Sequence, residues 1–361
     1  MNKNKKIVIF TGGTGGHVIP AVNFANFLIL EGYECSLILD KRGAQYSKNF
    51  KGNIHIINSA HLSGNIFIKI KSFINLLLGF FQSFILLIKL RPKDCISFGS
   101  YATFMPLIIV LILKLFMKID IYIHEQNSVI GKVNLFFLPY AKYFFTNFTF
   151  VTNLNNKYNN KKIYVGLPSN RKIDFYSSKI NEKQVKKIIL IYGGSQGAVS
   201  LIKNLLLIIS NLDNNSLTKI KLIIQSPKNI FDTINESLKD LNIEYEIKEF
   251  YNNINDILSI TDIAITRAGA GTINDLITYK IPSIIFPLPH SIYNHQFYNA
   301  KYLVDKKAAI LFEENKFHAH KYSAIFKKFI SDEKKQKNMK NALDKIIVPD
   351  ANRLMINKII I

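Results

Sequence analysis

Acidic side chains are scarce in this chain. It has 25 Asp and Glu against 47 Lys and Arg in 361 residues, a formal net charge of +22. The excess is steeper over residues 1–165 than over 166–361. Such a balance attracts nucleic acid, anionic lipid or phosphorylated substrates, and charge alone does not choose among them. Cysteine is rarer still: Cys35 and Cys95 are the only two, and both lie in or beside apolar strand-like runs. That excludes a disulfide framework and a cysteine-ligated metal. The first apolar run, Ile7-Val8-Ile9-Phe10, stops at Thr11-Gly12, too short for a signal peptide, so the chain is expected to stay in the cytoplasm. Neither glycine-rich loop carries Gly-Lys-Ser/Thr, which argues against a P-loop nucleoside triphosphatase. No Asp-x-Asp stands at a strand end to hold a metal, and no cofactor is called for.

What is present is a repeated unit. Lys5–Phe10 reads as a buried parallel strand, and it runs into Gly12-Gly13-Thr14-Gly15-Gly16-His17-Val18-Ile19-Pro20 and then an apolar helical pattern to about Leu30. The same order returns at Ile188–Tyr192, Gly193-Gly194-Ser195-Gln196-Gly197, and a helical pattern from Val199 to about Leu212. A strand, a glycine turn and a helix start form an anion site, because first-turn amides have no intrahelical acceptor and the helix dipole is positive there. Two such units imply two Rossmann-like α/β domains with parallel sheets, their glycine loops facing a common cleft. Asp40 closes the second apolar run, where a dinucleotide fold places its ribose-binding acid, and this keeps an NAD-dependent oxidoreductase open as an alternative. A basic nucleic-acid-binding module is the other, and it rests on charge alone.

Further strands are expected at Cys95–Phe98, Ile119–Ile123, Lys219–Gln225, Tyr245–Glu249, Ile263–Thr266 and Ser283–Pro287. The pattern breaks at Val165–Pro168, which sets boundaries at 1–165, 166–348 and a final helix in 349–361 that returns to the first domain. Ile66–Leu90 is the most apolar stretch. Lys69, Ser72, Asn75, Gly79, Gln82 and Lys89 lie along one helical stripe of it, which predicts an amphipathic helix. Either its own domain buries it on most sides, or one edge packs on the sheet while Phe73, Leu77, Phe80, Phe81 and Phe84 rest in an anionic bilayer surface between Lys69, Lys71, Lys89 and Arg91. Arg267-Ala268-Gly269-Ala270-Gly271-Thr272-Ile273-Asn274-Asp275 makes a glycine turn into a helix with an acid one turn later, suited to a pyrophosphate beside a sugar diol. His17 is the best candidate base, since imidazole titrates near neutrality and it ends the first glycine loop, with Glu125 or Asn127 as alternatives.

Taken in order, GGTGGHVIP at 12–20, GSY at 99–101, HEQNSVIGKVN at 124–134, GLP at 166–168, GGSQGA at 193–198, EFYNNI at 249–254, RAGAGTINDL at 267–276 and HQFYNA at 295–300 resemble the MurG family. These are peripheral enzymes of the cytoplasmic face of the inner membrane in peptidoglycan synthesis. The resemblance implies a GT-B fold and inverting transfer of N-acetylglucosamine from UDP-N-acetylglucosamine to the muramyl C4 hydroxyl of lipid I, forming lipid II. It places the lipid acceptor and the membrane contact in 1–165 and the donor in 166–348. It further implies that Ser195, Gln196 and the backbone of Ala270, Gly271 and Thr272 hold UDP, with the backbone at Tyr251 on the uracil and Asp275 on the ribose. Gln296 and Asn299 would meet the sugar, while Thr14, Gly15, Gly16 and Asn127 line the cleft from the other side. Three positions depart from the family: Asp275 replaces a glutamate, Ser100 replaces a glycine, and Arg171 stands one residue beyond the usual arginine.

Overall fold

A computed structural model describes residues 5–60, 65–169, 186–193 and 198–360. The chain divides into two compact units, Met1–Arg171 with Pro349–Ile361, and Lys172–Val348.

In the first unit the described strands are β1 (Lys6–Phe10), β2 (Glu34–Asp40), β3 (Asn53–Ile57), β4 (Asp94–Ser97), β5 (Asp120–Glu125), β6 (Tyr143–Thr146) and β7 (Lys162–Tyr164). They form one seven-stranded sheet in the order β3-β2-β1-β4-β5-β6-β7, and every described pairing is parallel. Both faces are covered, so the central strands are apolar at nearly every position. Ile7, Ile9, Leu37 and Ile96 pack on one face beneath the helix Gly15–Leu30 and the closing helix Ala351–Ile360. Val8, Phe10, Ile38, Cys95 and Ile121 pack on the other, beneath the helices Ile66–Leu90 and Phe104–Leu113. Cys35 and Cys95 fall on opposite faces, and burial pushes both thiols well up, so each behaves as a small apolar side chain.

The second unit repeats the plan with β8 (Lys187–Tyr192), β9 (Ile220–Gln225), β10 (Glu244–Lys248), β11 (Ile263–Thr266), β12 (Ser283–Ile285) and β13 (Ala309–Leu311), parallel throughout and ordered β10-β9-β8-β11-β12-β13. Ile189, Ile191, Leu222, Ile263 and Ile265 share a core with the helices Ala198–Ile209 and Ala319–Ser331.

The boundary falls a few residues later than 165/166. Gly166–Ser169 remain with the first unit because their carbonyls are used there: His124 Nε2 is 2.9 Å from Gly166 O, Asn23 Nδ2 donates to Pro168 O at 3.2 Å, and Asn352 Nδ2 donates to Ser169 O at 3.0 Å. The short or outer strands β3, β6, β7 and β13 are too brief or too mixed in composition to show a period in the sequence.

The helix Ile66–Leu90 is inverted relative to a soluble amphipathic helix. Its buried residues are Ser72, Gly79, Ser83 and Leu87, while Phe67, Ile74, Leu78, Phe81 and Ile85 are exposed. A Cβ on Gly79 would lie 2.1 Å from Asn58 O, and Asn58 N donates to Gln82 Oε1 at 2.7 Å, so the small and polar stripe is clamped to the body of the unit. Phe80 and Phe84, expected to face outward, are half-buried against the core, whereas Phe73 and Leu77 do face outward. The helix is therefore not buried on most of its sides. By length and composition it is the one described helix able to cross a membrane, although Gly79 packs it against Asn58 in the loop after β3.

Candidate active site

In an open parallel sheet, ligands bind beyond the carboxyl ends of the strands where the strand order reverses. In the first unit that point lies between β1 and β4. The loops that follow β1, β4 and β5 carry Gly12–His17, Phe98–Tyr101 and Gln126–Asn127.

Gly13 has φ +75° and its would-be Cβ lies 3.0 Å from Ser100 Oγ, so the turn requires glycine for its dihedral as well as for space. His17 N and Val18 N both donate to Thr14 O, which leaves Gly15 and Gly16 as first-turn amides without an intrahelical acceptor. Thr14 and Gly16 are exposed and Gly15 half-buried, at the positive end of the helix dipole. His17 is half-buried in the first turn. Its Nδ1 lies 2.9 Å from Phe98 O and 2.8 Å from Gln126 Oε1, and its Nε2 has no bonded partner among the described residues. The structure thus brings Thr14, Gly15, Gly16 and His17 together with Gln126, and half-buried Asn127 follows directly.

Two acids given roles by the sequence are structural. Asp40 is 3% exposed, and its Oδ1 accepts from Gly13 N at 2.8 Å and Gly43 N at 3.0 Å. Its Oδ2 accepts from Arg42 Nε at 3.0 Å and Ser59 Oγ at 3.2 Å. It clamps the glycine loop from within and is not presented to a ribose. Glu125 is 2% exposed; Oε1 accepts from Asn127 N at 3.1 Å, and Oε2 from Gly131 N at 2.9 Å and Asn134 Nδ2 at 2.8 Å. It holds the loop after β5 and is not placed to act as a base.

In the second unit the order reverses between β8 and β11. The loop after β8 contains Ser195 and Gln196, which with Arg171 lie outside the described residues. The loop after β11 enters the helix Ala270–Thr278, where Ile273 N donates to Gly269 O, so the amides of Ala270, Gly271 and Thr272 have no intrahelical acceptor. Gly271 is exposed and a Cβ there would meet nothing within 4 Å, so the approach to this helix start is open. Asp275 is 9% exposed, one turn in. Gln296 Oε1 accepts from Ala268 N at 3.2 Å and Leu288 N at 3.0 Å, leaving its Nε2 as the polar end available to a ligand. Asn299 was expected on the sugar. It is wholly buried, and its Nδ2 donates to Ala268 O at 3.0 Å, so it supports the loop from behind. Tyr251 follows β10 with its side chain buried and Lys248 Nζ 5.3 Å from the ring centre.

Sequence reasoning left Arg267 without a role. It is buried, pairs with Glu314 at 2.8 Å, and donates to Ser200 Oγ at 2.6 Å and Phe286 O at 3.1 Å, so one guanidinium ties three segments under the loop. The signal in the sequence is an arginine directly after the apolar run Ile263–Thr266, at the carboxyl end of a strand. Gln126, between Glu125 and Asn127, has no distinguishing pattern in the sequence and gains its place beside His17 only in the fold.

Residues 7–146 match the glycosyltransferase family 28 N-terminal domain and residues 188–354 its C-terminal domain. The chain is 36% identical over 336 residues to the UDP-N-acetylglucosamine--N-acetylmuramyl-(pentapeptide) pyrophosphoryl-undecaprenol N-acetylglucosamine transferase of Rickettsia canadensis (strain McKiel), covering 91% of this chain and 92% of that one. It is 33% identical to the enzyme of the same name from Wolbachia sp. subsp. Drosophila simulans (strain wRi), covering 94% of each. In fold it is similar to the crystal structure of Acinetobacter baumannii MurG, with a TM-score of 0.80 at 23% identity over 98% of this chain and 99% of that one. It is also similar to a Staphylococcus aureus MnaA–UDP co-structure, with a TM-score of 0.69 at 14% identity over 98% and 96%. The chain is a two-domain α/β protein of GT-B architecture that belongs to glycosyltransferase family 28, in the family of N-acetylmuramyl-(pentapeptide) pyrophosphoryl-undecaprenol N-acetylglucosamine transferases.

Proposed function

We propose that the protein transfers N-acetylglucosamine from UDP-N-acetylglucosamine to the C4 hydroxyl of the muramyl sugar of lipid I with inversion, with the donor on Lys172–Val348 and the acceptor on Met1–Arg171. The observation that carries the catalytic part is His17, anchored through Nδ1 with Nε2 unengaged beside the glycine loop. The acceptor oxygen bonds to sugar C1 as the bond from C1 to the β-phosphate oxygen breaks. The hydroxyl proton passes to His17 Nε2, and UDP leaves with the bonding pair. Negative charge grows on the departing pyrophosphate, which the amides of Ala270, Gly271 and Thr272 meet at a helix start. Asp275 takes the ribose, Gln296 Nε2 the sugar, and Gly15 and Gly16 the pyrophosphate of the lipid. The oxidoreductase alternative loses its support, because Asp40 is already bonded on both oxygens. A nucleic-acid role has no observation beyond charge.

We infer further that the enzyme rests on the anionic cytoplasmic face of the inner membrane. The outward face of Ile66–Leu90 is apolar, with exposed Lys69, Lys71, Lys89 and Arg91 at its margins, and Leu115, Phe116 and Phe136 of the same unit are exposed as well.

The test is transfer to a lipid I analogue together with calorimetry of UDP-N-acetylglucosamine. His17→Ala lowers turnover about 10²–10⁴-fold with donor affinity unchanged. Asp275→Ala weakens the donor by about 10–150-fold, the loss of one charge-assisted bond. Near-normal turnover of His17→Ala refutes the base, and binding of NAD in preference to the UDP-sugar refutes the whole reading.

A further inference from the structure

We propose that Gln126 is a positioning residue for His17, one link in an uncharged chain of hydrogen bonds that leaves the His17 proton on Nδ1 and the lone pair on Nε2. This rests on the reading of His17 as the base.

The direction of the chain follows from its far end. His124 is wholly buried on β5, and its Nε2 lies 2.9 Å from Gly166 O. A carbonyl only accepts, so Nε2 carries the proton. Burial pushes the ring down to about 4, so it is neutral and its Nδ1 holds a lone pair. Gln126 Nε2 is 3.1 Å from that Nδ1 and 3.0 Å from His124 O, both acceptors, so the amide turns its NH₂ toward His124 and its oxygen toward His17. At His17, Nδ1 then faces two oxygens, Gln126 Oε1 at 2.8 Å and Phe98 O at 2.9 Å, and must be the protonated nitrogen. Asn147 Nδ2 donates to Gln126 O at 2.9 Å, and the Phe98 ring stacks on His124 at 5.0 Å, which holds the intermediate links in place.

When Nε2 accepts the hydroxyl proton, the imidazolium keeps its Nδ1–H between these two oxygens. The neighbouring carboxylate takes no part, since Glu125 is bonded to Asn127 N, Gly131 N and Asn134 Nδ2. An amide dipole thus does at His17 what a carboxylate does in a Ser-His-Asp triad: it orients the ring and stabilises the positive charge that forms on it, with no anion bonded to Nδ1.

The experiment is a double-mutant cycle on the full chain, with turnover measured for His17→Ala, Gln126→Met and the pair. Gln126→Met lowers kcat about 10–100-fold with both KM values nearly unchanged, and causes no further loss in the His17→Ala background. The same fold-loss in both backgrounds overturns the proposal, since the residue then acts on structure alone. A fully active His17→Ala defeats the base reading instead, and the proposal with it. A second measurement needs no variant. Two-bond ¹H–¹⁵N spectra of ¹⁵N-histidine-labelled protein show His17 as the Nδ1–H tautomer and His124 as the Nε2–H tautomer, and finding His17 as Nε2–H overturns the proposal.

Discussion

Asp40 Oδ1 lies 2.8 Å from the amide nitrogen of Gly13, a carboxylate at the end of β2 reaching into the glycine loop that follows β1. In a dinucleotide fold the acid at this place reads a ribose. Here it accepts from two backbone amides, a hydroxyl and a guanidinium, and sets the shape of the loop.

Asp40→Ala therefore lowers unfolding free energy by about 3 kcal/mol, the scale of buried amides left unsatisfied. It leaves the calorimetric affinity for UDP-N-acetylglucosamine unchanged, because the donor loop belongs to the other unit. Loss of nucleotide binding without loss of stability would restore the oxidoreductase reading.

Ser100 has φ +81° and ψ 154°, a region that glycine alone adopts without strain. Its Oγ makes only a long contact, 3.5 Å, with Ala102 N, too weak to compensate. Ser100→Gly stabilises the protein by about 1–3 kcal/mol in denaturant titration. An unchanged or lower midpoint shows that the hydroxyl is worth more than the strain.

His124 sets a pH dependence. Its folded value of about 4 lies below the ordinary 6.5, so between these the unfolded chain binds more protons and stability falls as pH falls. The contribution is complete above about 6.5 and is lost down to about 4, with a total of about 3 kcal/mol. His124→Gln flattens the slope of unfolding free energy against pH in that window. A variant with the wild-type slope shows that His124 does not produce it.

The apolar face of Ile66–Leu90 predicts flotation with anionic vesicles. High salt releases a large share, since exposed charges are screened within about 10 Å at 0.1 M. Phe67→Glu with Phe81→Glu, at positions 78% and 59% exposed, abolishes flotation without lowering Tm. Protein that resists both salt and alkaline extraction spans the membrane, and the surface-bound reading then fails.

Alternation of apolar runs with glycine turns determined, from the chain alone, two parallel sheets and the loops at their carboxyl ends. A strand covered on both faces is apolar throughout, and a turn with positive φ needs glycine, so both signals are local. β3 and β7 carry no such signal, because an outer strand of a few residues need not be apolar. Only tertiary structure decided what the polar residues do. Asp40 and Gly13 are 27 positions apart, His17 and Gln126 are 109 apart, and Asn299 and Ala268 are 31 apart. Each pair meets because neighbouring segments of a sheet or helix layer converge, and no pattern within one segment encodes that meeting. The same holds for Ile66–Leu90. Its stripe of small and polar residues was legible, but it was Asn58, pressed against Gly79, that turned the stripe inward and left the apolar face outside.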